Sequence, residues 1–134
     1  CHAEVNTKLA TFTLTTQEKE QIIVWLIENN FLNEERFCQL FVNSKLNQKL
    51  WGKNRIKAEL KARNISDFLI SKQLKEIDED NYAISFETIA EKTWLSIKEK
   101  NKLKKRKKFC DTLLRKGWET HKIYEIVDFY EKNT

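Results

Sequence analysis

Eight of the eleven residues from Lys98 to Lys108 are Lys or Arg, and a second basic stretch carries Lys45, Lys49, Lys53, Arg55, Lys57, Lys61 and Arg63. Such side chains neutralise phosphates and release condensed counterions, which gives affinity for a polyanion without choice of base sequence. Basic runs also occur as plain solvated helix surface, so charge alone does not decide. A net charge of +5 understates the polarity, because the intervening region 76–91 is largely acidic. Other chemistry is sparse. His2 and His121, the only histidines, lie far apart and lack carboxylate or thiolate neighbours at metal-ligand spacing, which argues against zinc and against His-based catalysis. A phosphate-cradling loop needs more than the two glycines, Gly52 and Gly117, that this chain has. Asp78, Glu79 and Asp80 are explained by helix capping and dipole complementarity. The expectation is a protein with no catalytic residue, no cofactor and no metal.

Proline is absent, so little here breaks helices. The chain is 40% hydrophobic and 34% charged, with 8 Phe, 4 Trp and 3 Tyr, too apolar and aromatic for disorder. A mean hydropathy of −0.65 suits thin helical layers with much exposed surface. No stretch approaches the roughly 20 apolar residues that span a bilayer, and the start lacks a signal-peptide pattern, so no membrane association is expected. Cys1, Cys38 and Cys110 form no CxxC pair and cannot all be bridged internally, which fits the reducing cytoplasm. Cys38 and Cys110 sit in apolar runs and are expected to be buried thiols.

The chain repeats itself. Ile56, Leu60, Asn64, Ile65, Ile70 and Leu74 return as Phe109, Leu113, Gly117, Trp118, Ile123 and Val127, at a spacing of about 53 residues typical of stacked helical units. Upstream, Phe37, Phe41, Val42 and Lys45 fall opposite Ala90, Trp94, Leu95 and Lys98. Val5, Leu9 and Leu14 begin an incomplete earlier copy. The expected fold is all-α: tandem three-helix repeats in an elongated, curved array whose first repeat is truncated. Its segments are 1–30, 31–80 and 81–134.

Capping chemistry places the helices. Thr15 with Glu18 forms a capping box. Asn33, followed by Glu34 and Glu35, predicts a helix start and a run to about Gln48. Gly52 opens a helix with Ile56 and Leu60 on one face, ending at Asn64. Asn64 and Gly117 share a phase and are the residue types that most readily take the left-handed conformation closing a helix, whereas Thr13 holds that phase in the first copy. Ser66 caps a helix expected to run to about Glu79. Tyr82, Phe86, Ile89, Ala90, Thr93, Trp94 and Ile97 trace a 3.6-residue stripe, predicting a helix from about Asn81 to Lys100. Helices near 104–116 and 119–132 follow. Ile56, Leu60, Phe86, Ala90 and Leu113 are expected in the core.

The segment Phe31-Leu32-Asn33-Glu34-Glu35-Arg36-Phe37-Cys38-Gln39-Leu40-Phe41-Val42, then Trp51-Gly52-Lys53-Asn54-Arg55-Ile56-Lys57-Ala58-Glu59-Leu60 and Ile65-Ser66, resembles the central signature of RecX, the bacterial regulator of the RecA recombinase. Asn33-Glu34 stands for the family's usual pair of aspartates, and Asn64 for its usual glycine. The resemblance implies a non-enzymatic modulator that lodges in the groove of the RecA filament on single-stranded DNA and blocks extension or promotes disassembly. The expected partners are RecA filaments and single-stranded DNA, with double-stranded DNA as a further ligand, and the protein is expected to be a monomer. The residues expected to line that interface are Lys53, Arg55, Lys57, Lys61, Arg63, Lys104, Lys105, Arg106, Lys107, Lys108, Arg115 and Lys116. Trp51 is read first as an interhelical side chain and only second as a base-stacking platform. Two readings compete: a general basic nucleic-acid-binding module without a RecA partner, and a structural adaptor, which leaves the basic run without a ligand.

Overall fold

In a computed structural model of the chain, residues 15–133 are described, and among them the backbone forms helices and no strand. The helices are α1 (Thr16–Asn47), α2 (Lys53–Ala62), α3 (Asp67–Lys75), α4 (Glu79–Ser96), α5 (Lys102–Arg115) and α6 (Thr120–Lys132). The expected all-α fold is what forms. Val5, Leu9, Thr13 and Leu14 of the incomplete copy lie outside the described residues. The chain divides into two compact units, Cys1–Phe37 and Cys38–Thr134. In the first, the Glu18 amide donates to Thr15 Oγ1 at 3.1 Å, the expected cap.

Four side-chain caps coincide with predicted or neighbouring starts. Besides Thr15, Ser66 Oγ accepts from the Leu69 amide at 3.3 Å, Asp78 Oδ2 from Asn81 at 2.9 Å, and Asn101 Oδ1 from Lys104 at 3.1 Å. Three expected boundaries are corrected. Asn33 starts no helix: α1 runs through it to Asn47, because no Gly or Pro interrupts residues 16–47 and propagation is favourable once a helix is nucleated. The helix after Ser66 stops at Lys75, since Asp78 is taken as the cap of α4. Helix α4 ends at Ser96 rather than near Lys100, where Ile97 turns extended and Asn101 begins α5.

The repeat is written in the helix ends. Asn64 (φ 61°) and Gly117 (φ 93°) both adopt the left-handed conformation. Each carries the same pair of bonds, Asn64 N–H to Lys61 O and Ile65 N–H to Leu60 O in one copy, Gly117 N–H to Leu114 O and Trp118 N–H to Leu113 O in the other. These are the two bonds of a Schellman cap. Asn pays for the conformation with a Cβ that Gly lacks, and its short polar side chain keeps that cost small.

Within Cys38–Thr134 the core is continuous. Cys38, Val42 and Leu46 of α1 bury one stripe, and Ile56, Leu60, Phe86, Ala90 and Leu113 are all buried, as their phase predicts. Trp118 is fully buried and packs against Tyr82 (ring centroids 4.8 Å) and Phe86 (5.2 Å), while Trp94 meets Phe109 and Tyr130, each at 5.5 Å. Cys38 and Cys110 are unbridged buried thiols. Burial pushes the Cys110 thiol up, which keeps it protonated and unreactive.

One seam joins the repeats. The first backbone amides of a helix have no partner within it. Here Gly52 N–H donates to Lys116 O at 2.8 Å, Asn54 N–H to Gly117 O at 3.0 Å, and Lys53 N–H to the Tyr82 hydroxyl at 2.9 Å. The Tyr82 hydroxyl in turn donates to Glu119 Oε1, and the Trp118 indole donates to Leu50 O at 3.1 Å. Burial, then the bond to Glu119, pushes the Tyr82 phenol well above its ordinary range. The two backbones touch. A Cβ on Gly52 would stand 2.6 Å from the Trp118 nitrogen, and one on Gly117 would stand 2.8 Å from Arg55 Cα.

Gly52→Ala is expected to cost about 1–3 kcal/mol by overpacking that backbone has no room to relieve. Leu60→Ala is expected to cost about 2–5 kcal/mol through lost burial and a residual cavity. Urea denaturation of both variants checks the pair; a Gly52→Ala protein as stable as the parent would refute the seam.

Candidate nucleic-acid interface

A cation on a helix surface is available to a ligand only if the protein does not use it, and the two basic tracts divide on that criterion. In α5, Arg106 reaches across to α6, where its guanidinium donates to Asp128 (2.8 Å) and to Glu131. These two bonds hold its charge state above even the usual guanidinium range. Lys105 Nζ lies 4.0 Å from the centroid of the Trp94 ring, and Lys108 pairs with Glu99 at 3.2 Å. The Asn101 amide, then Lys108, holds the Glu99 carboxyl below its ordinary value. Lys104 and Lys107 are exposed and, among the described residues, have no partner. Reversal of Arg106 is therefore not neutral for stability.

In α2, Arg63 pairs with Glu59 at 3.0 Å and lies 4.9 Å from the Phe41 ring centroid. Lys61 stands 3.9 Å from Asp67, both exposed, a pair of little energetic weight. Lys53 Nζ sits over the Tyr82 ring at 4.7 Å. Lys57 is exposed and unpaired among the described residues. Trp51 is half-buried, edge-on to Phe41, and its ring carries Arg55 at 4.1 Å and Lys45 at 5.1 Å. It is an interhelical side chain that holds cations in place.

The tracts meet at one end of α5. Lys104, Lys108, Asp111 and Arg115 follow one another on a single helical face by their spacing. At the end of that face the Arg55 guanidinium donates to Arg115 O at 3.4 Å, and a shallow groove of about 490 Å³ opens between α2 and α5, lined by Arg55, Arg115 and Gly117 among others. Lys116, half-buried at the helix end, has its ammonium form disfavoured by burial and then by the charges of Arg55, Lys92 and Lys49. The charges of Arg55, Lys92 and Lys49 thus all bear on Lys116. Lys92 is absent from the residues expected from sequence, and Lys49 belongs there only to the basic stretch. Lys92 lies just beyond an acidic region on another helix, so no local pattern points to it.

Among the described residues no group of His, Cys, Asp and Glu is placed to hold a metal ion, and no helix is long and apolar enough to cross a membrane.

Comparison with known proteins bears on what such a surface serves. The second three-helix domain of RecX matches residues 33–74. The regulatory protein RecX of Actinobacillus pleuropneumoniae serotype 5b is 31% identical over 103 residues, covering 75% of this chain and 67% of that protein. The chain belongs to the RecX family. The RecX of Clostridium tetani is 32% identical over 117 residues (86% of this chain, 53% of that protein), and that of Clostridium acetobutylicum 27% over 136 residues (97% and 63%). The chain thus spans between about half and two thirds of the length of these RecX relatives. No solved structure matches it. Membership in a family of regulatory proteins makes a regulatory role the coarse function of this RecX chain, and the Gly52 to Leu60 segment quoted above lies within the matched domain.

Arg106→Glu is expected to lower the thermal midpoint by several degrees, because it sets two carboxylates against a third, whereas Lys104→Glu and Lys107→Glu are expected to keep stability within about 1 kcal/mol of the parent. Thermal melts followed by circular dichroism check the contrast.

Proposed function

We propose that the chain is a non-enzymatic modulator of the RecA recombinase, one that engages RecA filaments on single-stranded DNA and limits their extension or promotes their disassembly. In this reading residues 31–80 and 81–134 act as successive three-helix repeats, with 1–30 the end of another, and the protein works as a monomer in the cytoplasm. The observation that carries it is the position of Arg55 against the end of the α5 stripe, where its charge, with those of Lys92 and Lys49, bears on Lys116, in a chain of the RecX family. Half-buried Lys116 loses part of its charge stability to its neighbours. A phosphate arriving there restores it, which makes the cluster a favourable place for a polyanion. Arg55 and Lys105 are held over Trp51 and Trp94, so the ordering cost of these long side chains is partly met before binding.

The same cluster supports one other reading, a general nucleic-acid-binding module with no filament partner. ATP hydrolysis by RecA on single-stranded DNA separates them. The filament reading expects inhibition at ratios well below one chain per RecA subunit; hydrolysis that falls only as the added protein covers the DNA favours the general module.

Each phosphate contact contributes a salt slope of about −0.7 on single strands. Replacing Lys49, Lys92, Lys104 and Lys107 by Gln is therefore expected to flatten the slope of log K against log salt by up to about 3. An unchanged slope would place the nucleic acid elsewhere.

A further inference from the structure

Helices α4 and α6 present a second surface of opposite character. Phe86, Phe129 and Tyr130 are among the walls of a groove of about 540 Å³, and Glu87, Glu91 and Glu125 stand along it. Tyr130 is fixed from behind by Trp94, stacked at 5.5 Å, and Phe129 remains 59% exposed. On α4 the groove residues run from Ala83 to Glu91, a length of about 12 Å, or two turns of a helix. The three glutamates are exposed, and among the described residues none is paired with a cation. Lys122, the one cation in the wall, is turned onto the Tyr82 ring at 5.5 Å. Burial, then Glu91 and Glu87, raises the Tyr130 phenol, which places both carboxylates near the apolar floor.

An apolar floor with an unpaired acidic rim repels phosphate and selects a different ligand. We propose that the groove between α4 and α6 docks a protein segment of about two helical turns, whose bulky apolar side chains enter the floor and whose flanking Lys or Arg residues meet Glu87, Glu91 and Glu125. Charge complementarity decides the occupant, since the carboxylate rim favours cations and the floor rewards apolar burial. Resting on the proposed function, the segment belongs to the protein component of the filament. Nucleic acid and protein then bind opposite chemistries of one compact unit, the lysine cluster for the former and the glutamate-rimmed groove for the latter.

Two variants test this: Glu87→Gln/Glu91→Gln/Glu125→Gln, which removes the rim charge, and Ala83→Trp, which fills the groove at an exposed position without changing charge. Binding of fluorescently labelled protein is measured to RecA filaments on single-stranded DNA and to the bare strand, with thermal melts to confirm folding. The expected result is a loss of about tenfold in filament affinity for the glutamine variant, the size three rim charges of modest individual worth supply together, and a loss for Ala83→Trp by blockage, with bare-strand affinity unchanged or higher. Filament affinity equal to the parent in both variants overturns the groove while leaving the proposed function standing. A parent protein that binds filaments no better than bare DNA overturns both. A rim-dependent self-association, seen as a concentration-dependent mass in sedimentation, also overturns the proposal, since the occupant is then the basic tract of a second copy.

Discussion

The fold of residues 38–133 depends on one close approach of two backbones, that of Gly52 to Gly117. No side chain fits between them, so the only two glycines of the sequence sit where the only glycines are required. What crosses the gap is hydrogen bonding. The orphan amides of α2 find the carbonyls of the α5–α6 turn and the Tyr82 hydroxyl, which a helix cap made of its own neighbouring side chains would otherwise supply. The contact sets Arg55 against the end of α5 and Trp118 inside the core. The position of the lysine cluster is thus a by-product of backbone packing.

The electrostatics of this unit run against local rules. The first turns of α2 and α5 contain no acidic residue, although the positive end of a helix dipole favours one by about 0.3–1 kcal/mol. Both begin instead with cations. The acidic first turn of α4 follows the rule. Aromatic rings compensate in part, since Tyr82, Trp51 and Trp94 each carry at least one cation on a face. Such departures from local consistency are the places where function is expected to show.

Much of the fold was legible in the sequence because it depends on nearest neighbours along a helix. The stripe from Tyr82 to Trp94 is buried as its period requires, Ser66 caps the helix it precedes, and the shared phase of Asn64 and Gly117 becomes a shared left-handed cap. Asn33 shows the limit: an acceptor with acids behind it marks where a helix can begin, but an unbroken run of helix formers on either side decides that it does not. The basic surface was legible in amount and only partly in place. Arg106 is claimed by Asp128 and Glu131 from the next helix, and Lys92 joins Lys116 because α4 and the end of α5 come together, neither of which any window of sequence displays. Of the glutamate-rimmed groove the sequence displays only an acidic stretch, since Glu125, Ile126, Phe129 and Tyr130 come from α6.

A ribosome makes this chain from one end, and the seam imposes an order on what can form during synthesis. When α2 emerges, the groups that will accept from Gly52, Lys53 and Asn54 have not yet left the exit tunnel, the nearest being Tyr82 and the last Gly117. Its start is then open to water, and Ile56 and Leu60 lack the part of their core that Leu113 and Trp118 complete. A nascent polypeptide halted short of the α5–α6 turn holds the first basic tract on a helix without its cap. The geometry that sets Arg55 beside Lys116 arises only as that turn leaves the exit tunnel, so this basic corner matures late, when the polypeptide around it closes.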